Sequence, residues 1–299
     1  MKPKYLISII TVLFLSFFSQ TISQNVIIVV LDGARYSETF GSDSTYIRNI
    51  WTKLRPAGTI FTNYRNDGVT STIPGHSSIE TGTWQTIDNL GNKRPTMPTI
   101  FEYYRKTTGS KKSKNYVIAG KKKLKVLTYS TYTGYGRKLK ATFSFAEGDP
   151  AVLDSVMFHM ETNHPKLMVI NFPDIDAAGH TGEWKGYLKA IVRADSLVYV
   201  LWQKIQSNPF YEGKTTLIVT NDHGRHDDAH GGFENHGDGC EGCRHIMLLM
   251  AGRNIPSGFV DTTNATQIDI APTTGELLGF PTPLAVGKSL LQGRSIPKK

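Results

Sequence analysis

Near-continuous runs of β-branched and other apolar residues alternate along this chain with stretches whose apolar positions recur at helical spacing. NVIIVVL (residues 25–31), AGTIFTNY, NYVIAG, KLMVINFP, TTLIVT and RHIMLLMAG have the pattern of strands buried on both faces. Between the first two, TYIRNIWTKLRPAG predicts a helix capped by Gly58. The polar loop DGVTSTIPGHSSIETG leads into a short helix with Pro74 at its first position. MPTIFEYYRKTTG reads as a helix stopped by Gly109, and DPAVLDSVMFHMETNH as one capped by Asp149. Further on, Leu188, Ile191, Val198, Leu201 and Ile205 fall on one face of a longer helix, and QIDIAPTTGELLG forms a closing one. Tyr129 to Phe145 has no clear period and reads as loop with short strands. Strands alternating with helices predict an α/β fold, a single domain with a mostly parallel central sheet covered by helices on both faces.

The first 24 residues change the picture of where the protein acts. MKPKYLISIITVLFLSFFSQTISQ carries two lysines, an apolar run from Tyr5 to Phe18 and small or polar residues after it, which is a secretory signal pattern. The apolar run is short for a bilayer span. The expected organisation is a signal peptide over residues 1–24 and one domain over 25–299, exported to the periplasm or medium without a stable membrane anchor. Removing Lys2 and Lys4 lowers the formal charge from +9 to +7. Nine Lys/Arg fall between Arg105 and Lys125, either a solvated face or a field that draws anionic substrates inward. No aromatic interleaving or motif suggests a nucleic-acid reader.

Candidate chemistry is concentrated in TNDHGRHDDAHGGFENHGDGC. Between Asp222 and Asp238 lie His223, His226, Asp227, Asp228, His230 and His236. A polar surface loop would account for such a stretch, but imidazole and carboxylate at this density also suit a zinc-type ion. Position favours the second reading. In parallel α/β sheets, sites lie beyond the carboxyl ends of the strands. Three predicted strands end in aspartate: at Asp32, at Asp174 and Asp176, and at Asp222, with His180 and His223 beside two of them. Cys240 and Cys243, the chain's only cysteines, exclude a four-cysteine zinc site, and in an exported protein they read as a short-loop disulfide.

VVLDGAR, TIPGHSSIETG, DAAGHTGEW, TNDHG, ENHGDG and DIAPTTGELLG occur in an order that resembles the alkaline phosphatase superfamily, on its nucleotide pyrophosphatase/phosphodiesterase-like branch. The resemblance spans nearly the whole chain after residue 24. It implies two Zn2+ ions, one held by Asp32, Asp222 and His223 with the nucleophile Thr72 as a further contact. The second would be held by Asp176, His180 and His236, with Asp174 in reserve and His226 and His230 as competitors for the last place. Thr72 opens T-I-P-G-H and is preferred over Thr70 and Ser71. By the same resemblance Asn89, with Asn92 second, would bind a phosphoryl oxygen, and Lys121 and Lys123 would reach the phosphate, although Lys123 stands where the phosphomonoesterase branch has arginine.

The implied activity is hydrolysis of small anionic phosphate mono- or diesters through a phosphothreonine intermediate. A sulfatase is disfavoured because Thr72-Ile73-Pro74-Gly75-His76 lacks the Cys/Ser-x-Pro-x-Arg pattern of that branch. The same motifs leave room for phosphonate cleavage, or for metal binding without catalysis.

Overall fold

The computed structural model describes residues 25–292, so the expected signal peptide lies outside the described residues. The chain opens with β1 (Asn25–Leu31), every residue of which is buried. Val26, Ile28 and Val30 point into one apolar cluster and Ile27, Val29 and Leu31 into another. That alternation puts β1 in the middle of a two-faced sheet, as its unbroken apolar run requires.

The next strand, β2 (Gly58–Arg65), is preceded by an irregular helical stretch, π over Ile50–Leu54 and 3-10 over Arg55–Ala57. The regular helix expected here does not form, but Gly58 does take the C-cap position of the stretch, its N–H donating to the Arg55 carbonyl. Gly58 has extended dihedrals and opens the strand. A Cβ at this point would overlap the Met250 carbonyl, so glycine also serves close strand pairing.

Helix α1 (Thr72–Thr81) follows, with Ser71 as N-cap; Pro74 is the third helical residue, not the first. Helix α2 (Ile100–Thr108) ends at Gly109 as expected. It begins in a capping box in which Thr99 and Glu102 exchange side-chain and backbone hydrogen bonds. The remaining strands are β3 (Asn115–Ala119), β4 (Thr142–Phe145), β5 (Leu167–Phe172), β6 (Thr215–Thr220), β7 (His245–Gly252) and the short β8 (Phe259–Asp261) and β9 (Ala265–Thr266). The remaining helices are α3 (Asp149–Thr162), α4 (Asp174–Gly179), α5 (Trp184–Ser207), α6 (Glu241–Arg244) and α7 (Ile270–Leu278). Asp149 is the first residue of α3, not its cap. Gly148 holds the cap, and the Asp149 carboxylate instead accepts from the Asp174 backbone N–H at 3.0 Å.

The sheet runs β4-β3-β5-β1-β6-β7-β2-β8, with β9 also paired to β2. Only β7 runs antiparallel to its neighbours, β6 and β2. Helices α1, α2 and α7 cover one face through Ile73, Ile79, Phe101 and Leu277, and α3 and α5 cover the other through Val152, Val156, Ile191 and Val198. The single α/β domain with a mostly parallel sheet is therefore the architecture found. Among the described residues, no helix is long and apolar enough to cross a membrane.

The order places β5, β1 and β6 side by side and parallel. Their carboxyl ends, followed by Asp174 and Asp176, by Asp32 and by Asp222, meet on one rim.

Candidate metal centre

Asp32 leaves β1 fully buried, and its Oδ2 accepts from Asn171 Nδ2 at 2.8 Å. Asp222 leaves β6 equally buried, with its Oδ1 held by the backbone N–H groups of Gly33 at 3.2 Å and His223 at 2.9 Å. The His223 Nδ1 stands 2.8 Å from the Gly224 carbonyl, so it carries the ring proton and leaves the Nε2 lone pair free. That Nε2 lies 3.6 Å from Asp32 Oδ1 and 3.5 Å from Asp222 Oδ2.

Asp32 Oδ1, Asp222 Oδ2 and His223 Nε2 are all buried and have no hydrogen-bond partner. Three lone-pair donors within 4.8 Å of one another, each shielded from water, are costly unless a cation binds them. Two carboxylates and an imidazole are a zinc-type donor set, so the implied metal fits here.

A second set shares His223. Donor atoms of Asp176, His223 and His236 also lie within 4.8 Å of one another. Asp176 is in the first turn of α4, and His180 follows four residues later on the same face, its Nε2 3.3 Å from Asp176 Oδ1. His236 Nε2 lies 3.5 Å from the same oxygen, while its Nδ1 donates to the Thr70 carbonyl at 3.0 Å. The His236 ring stacks on His223 at 3.9 Å and stands 5.1 Å from His180. Of the resemblance-based trio, Asp176 and His236 share this donor set with His223, while His180 is exposed, reaches Asp176 and stands outside the set.

Burial raises the Asp32 carboxyl above its ordinary value, and the neighbouring Asp222 raises it further. Burial acts the same way on Asp222 and Asp176. There it is outweighed, by His223 and His76 at Asp222 and by His180 and Lys121 at Asp176, so both stay ionised. Burial and the adjacent His223 push His236 down to about 3, which keeps the ring neutral and able to donate a lone pair.

Thr72 is the first residue of α1 and almost fully buried. Its hydroxyl oxygen accepts from Lys121 Nζ at 3.3 Å, and that ammonium also lies 2.9 Å from Asp32 Oδ2 and 2.6 Å from Asp176 Oδ2. The three carboxylates hold the Lys121 ammonium charged against its burial. Asn89 faces the start of α1, where its Oδ1 accepts from the Ile73 backbone N–H at 3.0 Å and from Lys123 Nζ at 2.9 Å. Thr72, both lysines and Asn89 therefore form one connected cluster at a helix N-terminus, where the backbone dipole favours an anion.

Other candidates fall away. Asp174 exchanges backbone and carboxylate hydrogen bonds with Asp149 at the start of α3 and joins neither donor set. His230 is half exposed and bonded to Asp227 at 2.6 Å, and Asn92 is exposed. Ser71 serves as a helix N-cap, and Thr70 gives its carbonyl to His236. Cys240 and Cys243 are free thiols, which corrects the expected disulfide. Cys240 is the N-cap of the short helix α6 and Cys243 lies within it, where burial pushes the thiol up to about 12.

Several site residues escaped the sequence. The fully buried Arg225 pairs with Asp176 and donates to the Glu234 carbonyl at 2.7 Å. His76 Nδ1 donates to the Thr72 carbonyl at 2.9 Å and lies 3.3 Å from Asp222 Oδ2. Asn66 and Gln267 both donate to the Asp222 carbonyl. Arg225 lies in the same loop as two ligands, which is the one signal that could have marked it.

The metalloenzyme superfamily model matches residues 103–279, more than half the chain. A 2,3-bisphosphoglycerate-independent phosphoglycerate mutase of Legionella pneumophila is 26% identical over 145 residues, 48% of this chain and 26% of the mutase. The chain thus spans about a quarter of that relative's length. Among solved structures, a protein of the alkaline phosphatase superfamily from Vibrio parahaemolyticus superposes with a TM-score of 0.67 at 15% identity, covering 92% of this chain and 71% of its own. A phosphonate monoester hydrolase from Silicibacter pomeroyi gives 0.64 at 13% identity, over 92% and 78% of the two chains. At these identities the structural likeness speaks for the fold alone. The match over residues 103–279, together with that fold and the two donor sets on its rim, places this chain in the metalloenzyme superfamily with an alkaline phosphatase-like architecture.

Proposed function

We propose that the protein is an exported phosphoesterase that hydrolyses small phosphate mono- or diesters with Thr72 as nucleophile and two zinc-type ions in the rim site. The observation that carries this reading is the placement of the Thr72 hydroxyl beside Lys121, which itself sits between Asp32 of the first donor set and Asp176 of the second. Asp32, Asp222 and His223 would hold one ion, and Asp176, His180 and His236 the other. When bound, such ions would favour the alkoxide form of a nearby hydroxyl and neutralise charge on phosphoryl oxygens.

The chain's own groups supply the rest. The N-terminus of α1 fixes Thr72 and turns backbone N–H groups toward an incoming anion. Lys121 stabilises negative charge developing at the Thr72 oxygen and beside it. Lys123, held by Asn89, adds a second cation; burial and then the charge of Lys121 lower its pKa. In the reaction, the Thr72 oxygen bonds to phosphorus as the ester P–O bond breaks and the alcohol leaves. Water then cleaves the phosphothreonine and regenerates the hydroxyl.

A panel of p-nitrophenyl phosphate, bis-p-nitrophenyl phosphate, p-nitrophenyl sulfate and a phosphonate ester, assayed before and after chelation, tests the reading. Phosphate-ester turnover that is lost on chelation, restored by Zn2+ and absent from Thr72→Ala is the expected result. Turnover of the sulfate alone, or full activity in zinc-loaded Thr72→Ala, would refute it.

A further inference from the structure

The loop between His223 and β7 carries a second group of metal-binding side chains that the rim site does not use. His226 Nε2, a carboxylate oxygen of Asp238 and the Cys243 thiol lie within 4.8 Å of one another. His226 Nε2 is buried, has no hydrogen-bond partner, and faces Asp238 Oδ1 at 3.4 Å. Cys243 is fully buried. Cys240 is the N-cap of α6, and the Cys243 backbone N–H donates to its carbonyl at 3.0 Å, which sets the two residues one turn apart. The Cys240 backbone N–H donates to Asp238 Oδ1 at 2.9 Å, which holds that carboxylate beside the thiols, and both thiols interact with it and with each other.

We propose that His226, Asp238, Cys240 and Cys243 form a third divalent-metal site, structural in role and zinc-type in chemistry. Two thiols separated by two residues are a recurrent zinc-binding spacing, and His with Asp completes a four-ligand set. In tetrahedral zinc coordination the ligand atoms stand about 3.3 to 3.8 Å apart, so His226, Asp238 and Cys243, already within 4.8 Å of one another, need only a small contraction, and Cys240 one turn away would close in as the fourth ligand. A neighbouring trio of Asp227, His230 and Cys240 is the weaker site, because His230 and Asp227 already satisfy each other at the surface. Four protein ligands leave no open position, which makes this a clamp and not a second reaction centre.

The clamp has something to hold. The Gly224 backbone N–H donates to the Cys243 carbonyl at 2.9 Å, and a Cβ on Gly224 would overlap the Gly242 carbonyl. The residue after His223 is thereby packed on α6. His226 N–H donates to the Asn235 carbonyl at 2.8 Å, next to His236. Arg244, adjoining Cys243, donates to the carbonyls of Asn66 at 3.1 Å and Gly68 at 3.3 Å on the segment leading to Thr72. A metal joining His226 to residues 238–243 closes the loop that presents His236, and does so whatever substrate the rim site takes.

Cobalt separates this site from the rim, whose ligands are oxygen and nitrogen only. Reduced, metal-free protein titrated with Co2+ is expected to develop a thiolate-to-cobalt charge-transfer band in the near ultraviolet. The band should be unchanged in Thr72→Ala, weaker in Cys240→Ser and absent from Cys240→Ser/Cys243→Ser. Because Cys243 is buried, the wild-type protein supplies an independent measurement. Isolated without reductant, it should release two titratable thiols on chelation and denaturation. A Cys240–Cys243 disulfide in the protein as isolated, or cobalt-loaded reduced protein with no charge-transfer band, would overturn the proposal.

Discussion

At the scale of single residues, the site is defined by side chains that burial leaves unsatisfied and by two cations, Lys121 and Arg225, that partly satisfy them. Lys121 touches Thr72, Asp32 and Asp176 at once. Replacing it with alanine removes a charge from the reacting oxygen, and kcat/KM is expected to fall about 10²-fold, as for other transition-state donors. Steady-state assays of zinc-loaded Lys121→Ala measure this. Asp149 offers a different prediction. Burial raises its carboxyl from 3.8 to about 7. Between those values the folded state holds a proton that the unfolded state has released, so this group's contribution to stability is full below the lower value and lost as pH rises through the higher one. Melting temperatures of Asp149→Asn from pH 4 to 8 should show a flatter decline than wild type, and parallel curves would contradict the assignment. Asp32, Asp222 and His223 were legible because each follows closely on the end of a buried strand. Arg225, His76 and Asn171 were not, because their roles depend on partners far away in sequence, such as Asp176 for Arg225.

Elements succeed or fail as sequence signals according to what opposes them. The buried strands carry unbroken apolar runs, and β1, β5 and β6 begin and end close to where those runs do. The stretch before β2 has helical spacing, but Pro56 and the close pairing of Gly58 with β7 leave it π and 3-10. Helix α1 starts before its proline because Thr72 must stand at the helix N-terminus facing Lys121. The same helix contains Gly75, where a Cβ would overlap the Asp222 carbonyl. Gly75→Ala should push α1 away from the end of β6, shifting both Thr72 and Asp222. Zinc affinity is expected to weaken about tenfold or more, the scale seen when support for a ligand is lost. Competition with a chromophoric chelator reads that change, while circular dichroism checks that the fold is retained.

Over the whole molecule, a single topological fact creates the site: β1 lies between β5 and β6 as their parallel neighbour, although it is more than a hundred positions from either in the chain. The sequence showed three strand ends in aspartate and a family-like motif order, which together pointed to this rim. It could not show that His223 would lie between both donor sets, or that the thiols would stand free beside His226, because both depend on how the loop after β6 folds back. The central claim is that this rim makes Thr72 a nucleophile toward phosphate esters. Acid quenching of zinc-loaded protein mixed with p-nitrophenyl phosphate, followed by peptide mass spectrometry, tests it most directly. A phosphoryl group on Thr72, absent from Thr72→Ala, is the predicted result. Rapid turnover with no phosphorylated Thr72 at any quench time, and undiminished turnover in Thr72→Ala, would contradict it.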